Sequence, residues 1–393
     1  MAPPADSDFL QPSDFLQQAG RREGARGDSA ALLIARLRLK DFRNISELAF
    51  EPAPRFNVIS GDNGQGKTSL LEAIYCLATT RSFRTDQLKE LRRDGAPFAR
   101  VDAELHDADQ RRSQRLTLSD EGRGVYLDEQ RVARLSEYAI RTPVVVFHPG
   151  DLELTMGGAG ARRDLLDRVG LFSDPALLDD RRRYRQALRE RQKALELRGE
   201  RAAELDAYET LLALHGARLS QSRARAAEEL ARAAQPGFRR LAAADLTLEM
   251  TYKAGGSCAQ DEFRSELAAR RATDRRRHAA SFGPHKDDLA LCVGGRLARK
   301  TASQGQHRIL ALSLKLGELH AIERARGAHP LLLLDDVSSE LDPTRIGAVQ
   351  AFLRESQSQV FVTTTRSELF QTPGATASER RDYRLRGGLL EAP

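Results

Sequence analysis

Apolar and polar positions change rhythm several times along the chain. From residue 32 the alternation is close to period two: Leu33, Ala35, Leu37 and Leu39 fall on one side, and Ile34, Arg36, Arg38 and Lys40 on the other. That spacing predicts a strand. Residues 56–60 read as a second short strand, and residues 68–78 as a helix with Leu70, Leu71, Ile74 and Leu77 on one side. Short strands between turn residues continue to about 147, among them 116–118 and 125–127. The texture then shifts. No proline occurs from 176 to 235, Arg, Glu, Ala and Leu dominate, and Leu205, Tyr208, Leu212 and Leu219 keep helical spacing. Two antiparallel helices broken near Gly199 are expected. Strand patterning returns at 246–252 and 289–293, then a helix over 306–323, a buried strand at 331–334 and a last strand at 360–364. Strand-rich ends around a helical middle predict one α/β domain interrupted by a helical insertion.

Residues 1–30 are polar and carry a tandem repeat, Ser7-Asp8-Phe9-Leu10-Gln11 and Ser13-Asp14-Phe15-Leu16-Gln17. They read as a disordered leader. Composition narrows the class. Of 393 residues, 40% are apolar and 30% charged, and no apolar run reaches the roughly 18 residues of a membrane span. Met1 to Leu10 holds Asp6 and Asp8 and no basic residue, unlike a signal peptide. Cys76, Cys258 and Cys292 are scattered, with no CxxC pair. A reducing, cytoplasmic setting is expected. The net charge is +6, and 54 of the 62 basic residues are Arg. A GC-rich genome inflates Arg; excess cationic surface also suits a polyanionic partner, so both readings stand.

Gly61-Asp62-Asn63-Gly64-Gln65-Gly66-Lys67-Thr68 matches G-x-x-x-x-G-K-[ST] in full, after a strand and opening a helix. Its glycines let backbone N–H groups point at phosphate oxygens, and the helix N-terminus adds positive potential. Lys67 is placed to reach the β- and γ-phosphates of ATP, and the Thr68 hydroxyl to ligate Mg²⁺. Such a loop needs an acid after a buried strand. Leu331-Leu332-Leu333-Leu334-Asp335-Asp336 supplies it, with Asp335 for the metal and Asp336 for the attacking water. Lys67 and Asp335 lie 268 residues apart, more than a compact core requires. Just before the acidic strand, Ser303-Gln304-Gly305-Gln306 opens an amphipathic helix. A second anion loop, with Ser303, Gly305 and Gln306 as contacts, suits the nucleotide of another subunit. That is the logic of an ATP-binding-cassette head, in which two heads sandwich two ATP molecules. Ser339-Glu340-Leu341-Asp342 stands where such heads place a dimer-contact loop.

The chain resembles the RecF family of DNA recombination and repair proteins over nearly all of residues 32–393. The motifs that carry the resemblance include Leu39-Lys40-Asp41-Phe42-Arg43-Asn44, the phosphate loop and Thr80-Arg81-Ser82-Phe83-Arg84. Further on come Phe147-His148-Pro149-Gly150-Asp151-Leu152, Arg162-Arg163-Asp164-Leu165-Leu166-Asp167 and Gly283-Pro284-His285-Lys286-Asp287-Asp288-Leu289. Ser303-Gln304-Gly305-Gln306 and the run from Leu334 to Asp342 complete the order. Phe83 stands where the family often has His, Lys286 where it often has Arg, and residues 1–31 have no counterpart.

The resemblance implies an ATP-binding-cassette head like those of Rad50 and SMC proteins, with mixed sheets and a helical second lobe. With 1–31 set aside as a disordered leader, it implies head halves over 32–165 and 276–393. These flank a helical lobe with a short antiparallel arm over 166–275. It also implies ATP and Mg²⁺ as cofactors, DNA binding, an ATP-dependent homodimer and slow hydrolysis. Partners would be RecR and the RecO and RecA pathway at gaps, with support for replication and SOS induction.

Three rivals are weighed, one of them a phosphate-loop helicase or kinase that needs no signature in trans. A transporter ATPase subunit would carry its signature much sooner after the phosphate loop, and a switch His where Thr363, Thr364 and Thr365 stand. An SMC-like structural tether would need far longer heptad segments. For DNA, two basic stretches compete, Arg181-Arg182-Arg183 with Arg185, Arg189, Arg191 and Lys193, and Arg270-Arg271 with Arg275-Arg276-Arg277. Either could equally be a solvated helix face. No aromatic ladder interleaves them, so backbone contact with little sequence specificity is expected. His148 and His285 sit in no metal-binding cluster and read as packing residues.

Overall fold

The structure, a computed structural model, describes residues 32–107, 110–242, 246–336, 343–365 and 375–391. The leader and the loop at 339–342 lie outside the described residues.

Strands β1 (Leu33–Phe42) and β2 (Ile45–Phe50) form a hairpin, and β3 (Phe56–Ser60) crosses to a second sheet. Helix α1 (Lys67–Thr79) follows it. Strands β4 (Phe98–Asp107), β5 (Gln110–Ser119), β6 (Gly122–Leu127) and β7 (Gln130–Arg131) return to the first sheet. That sheet is antiparallel, in the order β2-β1-β4-β5-β6-β7. The period-two reading of β1 needs one correction. The pairing with β4 slips between Ile34 and Arg36, so Ile34 points inward with Leu37 and Leu39. A bulge of this kind inserts one residue and reverses the faces before it.

The second sheet holds β8 (Val144–Phe147), β12 (Leu331–Asp335), β13 (Val360–Thr364), β14 (Arg380–Arg386) and β15 (Leu389–Glu391). Its order is β15-β14-β3-β13-β12-β8, parallel except at the β14–β15 hairpin. Every residue of β8, β12 and β13 is buried, as a parallel sheet covered on both faces requires. One face packs with the antiparallel sheet around α1, through Leu70, Ile74, Ile59 and Leu331. The other packs on α7 (Gln304–Arg326) and α8 (Pro343–Glu355), through Leu312, Leu319, Val349 and Leu353. Strands β14 and β15 extend the sheet beyond the strand expected to be last. In β14, Tyr383 and Leu385 are buried between exposed or half-exposed charged residues.

Between the two halves of the second sheet run α2 (Ala159–Ser173), α3 (Leu177–Arg198) and α4 (Leu205–Leu241). Gly199, at φ 87°, ends α3 where the break was expected. Helix α4 continues through Pro236 and stops six residues later than the proline-free segment suggested. Short helices α5 (Gln260–Ala269) and α6 (Arg271–Arg277) pack on α3 and α4. A small sheet of β9 (Leu248–Lys253), β10 (Asp288–Val293) and β11 (Arg296–Leu297) joins α2, α4 and α7 in a further core.

Candidate nucleotide site

Parallel pairing assembles the site at the C-terminal ends of three neighbouring inner strands. Ser60 pairs with Thr364 on β13, and Thr363 pairs with Asp335 on β12. The phosphate loop after β3 and the acid after β12 are therefore neighbours despite their distance in sequence. Gly61 has φ 155°, and a Cβ there would meet the Leu385 carbonyl oxygen at 2.4 Å. Gly66, at φ 107°, is the N-cap of α1 and offers no side chain to the first N–H groups of the helix. Those groups remain for an anion.

Lys67 Nζ folds over the loop and donates to the carbonyls of Gly61 (2.6 Å) and Asp62 (2.8 Å). Burial pulls its pKa down, against the pull of Asp336, Asp335 and Asp62. Thr68 Oγ1 donates to Asp335 Oδ1 at 2.9 Å, and Thr363 Oγ1 donates to the same oxygen at 2.7 Å. Burial still pushes the Asp335 pKa above its ordinary value. A desolvated carboxylate beside a hydroxyl is a hard oxygen pair that fits Mg²⁺. The Asp336 N–H donates to Thr363 Oγ1 (3.1 Å), and φ at Asp336 is 49°, a left-handed backbone that aims the residue differently from Asp335. Asn63, Gly64, Lys67, Thr68, Asp335 and Asp336 line one cleft of about 850 Å³.

Several supports escaped the sequence reading. Asn44 Nδ2 donates to the Gly64 carbonyl (3.0 Å), while its Oδ1 accepts from Ser69 Oγ (2.9 Å), bracing the loop against α1. The left-handed turn residues Asp41 and Arg43 on either side of Phe42 bring it there. Glu72, fully buried in α1, holds Arg43 through two bonds (2.8 and 2.9 Å) and accepts from Ser82 Oγ (2.5 Å) and Arg84 (3.3 Å). Gln65 turns its side chain away from the loop, accepting the Gly387 N–H.

Ser303, Gly305 and Gln306 do not line this cleft. Ser303 is exposed and caps α7: its Oγ accepts the Gln306 N–H (3.2 Å), and Gln306 Oε1 accepts the Ser303 N–H (2.8 Å). His148 and His285 are used internally. His148 Nδ1 accepts the Gly150 N–H, and His285 meets Tyr184 Oη and the Ala280 carbonyl. Among the described residues no group of three His, Cys, Asp or Glu could hold a metal alone.

The motifs at 162–167 and 283–289 meet through ion pairs. Arg223 binds Asp167 and Asp287 together, Arg162 binds Asp288, and Tyr252 donates to Asp287. The first basic stretch needs correcting. Arg181 is buried against Asp167 and Asp164, and Arg191 is fully buried against Glu209 and Asp274. Neither can meet a DNA backbone without leaving a carboxylate unpaired in the interior. Arg182, Arg183, Arg185, Arg189 and Lys193 are exposed. In the second stretch, Arg271 is tied to Glu209 and Asp206, while Arg275, Arg276 and Arg277 are exposed.

The profile of the RecF/RecN/SMC N-terminal domain matches residues 33–378. The DNA replication and repair protein RecF of Myxococcus xanthus is 38% identical over 363 residues, spanning 90% of this chain and 95% of the relative. The chain belongs to the RecF family. RecF of Geobacter sulfurreducens is also 38% identical, over 82% of this chain and 90% of its own length. The solved structure of the recombination mediator protein RecF-ATP in the RecFOR pathway superposes with a TM-score of 0.85 at 25% identity, covering 94% of this chain and 100% of that one. A Smc head domain from Pyrococcus yayanosii, at 14% identity and a TM-score of 0.55 over 92% of this chain and 97% of its own, shares the fold. The family and the α/β head fold expected from the motifs are those found. Among the described residues no helix is long and apolar enough to cross a membrane.

Proposed function

We propose that this protein is an ATP-dependent, DNA-binding switch of recombinational repair. The observation that carries the reading is the Thr68–Asp335 contact at 2.9 Å, which joins a phosphate loop to its acid across 267 residues. Lys67 gives up the Gly61 and Asp62 carbonyls to meet the β- and γ-phosphates. Thr68 and Asp335 would hold Mg²⁺, which would supply charge neutralisation at the phosphates. Asp336 orients the attacking water and takes its proton.

Ser303 acts on a second copy. Its oxygen already accepts the Gln306 N–H, and its own proton remains to donate to the neighbour's γ-phosphate. ATP then favours a closed homodimer through differential affinity alone, and slow hydrolysis reopens it. DNA is gripped through its phosphates by the closed pair and released on opening. The relatives' name and the neighbour's RecFOR pathway support a role in DNA replication and repair with RecR and RecO; in this reading the protein works in the cytoplasm at gaps, helps RecA to load and serves SOS induction.

Asp336→Asn tests the chemistry. ATP binding stays within about twofold of the parent, while single-turnover hydrolysis falls by about 10²–10⁴. Equal hydrolysis by parent and variant would remove Asp336 from its role.

A further inference from the structure

A second cleft opens beside the segment that follows α1, between the head and the helical lobe. Its larger part has about 1200 Å³ and an adjoining part about 420 Å³, and Arg81, Arg123 and Arg181 line both. Arg84, Arg168, Arg185 and Lys315 also line the larger part. The cations divide into two groups. Arg84 is paired with Glu72, Arg168 and Lys315 with Glu318, and Arg181 with Asp164 and Asp167. Arg81, Arg123 and Arg185 have no carboxylate partner among the described residues; Arg123 donates only to the Thr80 carbonyl, at 3.0 Å.

All three residues are exposed, so their donors are open to a ligand. Partial desolvation by the cleft walls lowers the pKa of each, and neighbouring arginines lower it further: Arg181 acts on Arg81 and Arg185, and Arg81 acts on Arg123 and Arg185. The Asp164 carboxylate pulls on Arg81 and Arg185, but its ion pair is with Arg181. The buried Arg191 and Arg223 are each held by two carboxylates, whereas these three exposed arginines are held by none among the described residues. Asp86, Asp151, Glu153 and Asp164 also line the larger part, but none is ion-paired with these three, so the concave site keeps three mutually repelling guanidinium groups with donors to offer an anion. The guanidinium fork matches phosphate oxygens in geometry as well as sign.

We propose that Arg81, Arg123 and Arg185 form a phosphate-binding site in the cleft between head and lobe, separate from the phosphate loop. The ligand chemistry is a phosphate group, carried on a nucleic-acid strand or free. Arg81 and Arg123 belong to the head and Arg185 to α3, so a bound phosphate ties the lobe to the head. Arg81 shares its segment with Ser82 and Arg84, which hold Glu72 in α1, so the tie reaches the helix behind the phosphate loop. As a nucleic-acid site it rests on the DNA-binding reading above.

The test compares the full chain with the triple variant Arg81→Gln, Arg123→Gln, Arg185→Gln. Both carry Lys67→Ala, which silences the phosphate loop. Each is titrated with inorganic pyrophosphate and, separately, with a fluorescein-labelled single-stranded oligonucleotide. The expected result is at least about tenfold weaker binding of one or both probes by the triple variant. For the oligonucleotide, the salt slope also falls by about two, at roughly 0.7 per lost phosphate contact. Its ligand-free melting temperature equals or exceeds that of its background, because repulsion has been removed. Loss confined to the oligonucleotide assigns the site to nucleic acid, and loss confined to pyrophosphate assigns it to free phosphate. If the background protein binds pyrophosphate through these arginines but no oligonucleotide, the site stands and the DNA reading fails. Unchanged binding of both probes, or no binding of either by the background protein, overturns the proposal.

Discussion

Helices α1 and α7 both open at glycine-bearing motifs, and their N-termini are finished in opposite ways. At α1 the cap is Gly66, in a left-handed conformation and with no side chain, and Lys67 waits beside it on two carbonyls. At α7 the cap closes on itself, Ser303 and Gln306 each accepting the other's backbone N–H. The first end is open and lies in its own cleft; the second is closed and lies outside that cleft. The contrast teaches that a glycine-bearing motif at a helix start is not by itself an anion site. What matters is whether the N–H groups are already taken, and which side-chain proton is left over. At α1 the whole helix end is offered. At α7 a single hydroxyl proton is offered, held in place by the cap.

The contrast breaks if Lys67 is dispensable. Lys67→Ala is expected to weaken equilibrium ATP binding at least about tenfold, because hydrogen bonds from a charged donor contribute about 1.5–3 kcal/mol. Its melting temperature should stay within about 2 °C of the parent, since Nζ holds only two loop carbonyls. A loss of stability instead of affinity would make the residue structural.

A smaller effect sharpens the account of the open end. Asn44→Ala removes the brace between Gly64 and Ser69. About 1 kcal/mol of loop order should go with it, read as roughly fivefold weaker ATP binding by calorimetry. No change in affinity would show that the loop holds its shape without Asn44.

The smallest effect concerns pH. Burial holds the Asp335 pKa above the ordinary 3.8, so the folded head binds that proton more tightly than the unfolded chain does. The stability this confers is complete below the unfolded value and is lost as pH rises through the folded-state pKa. Asp335→Asn mimics the protonated form. Without nucleotide or metal, it should melt above the parent at about pH 8, and the gap should close toward about pH 4. A gap that is constant with pH would contradict the desolvation argument.

The contiguous parts of this site were legible. The loop 61–68 and the pair Asp335-Asp336 follow short strands in the chain itself, so spacing alone points to them. The parts set by distant contacts were not. Thr363 reaches Asp335 only because β13 lies beside β12 in register. Arg191 reads as one more cation on a basic helix, yet its partners Glu209 and Asp274 stand 18 and 83 residues away. Strand β14 was missed because only Tyr383 and Leu385 supply its buried face. The bulge at the start of β1 was hidden because Leu33, Ile34 and Ala35 are all apolar, and either register looks amphipathic.

The central claim is that Ser303 acts in trans, through its proton and not through its cap. Ser303→Asp separates the two, since aspartate accepts the Gln306 N–H as serine does but has no proton to give and repels a phosphate. Sedimentation of parent and variant, each with ATP and with ADP, reads the outcome. The account predicts a dimer for the parent in ATP alone, and a monomer for the variant in both nucleotides, with melting temperature and monomer ATP affinity near the parent's. A variant that dimerises with ATP like the parent, or a parent that dimerises equally well in ADP, would contradict it.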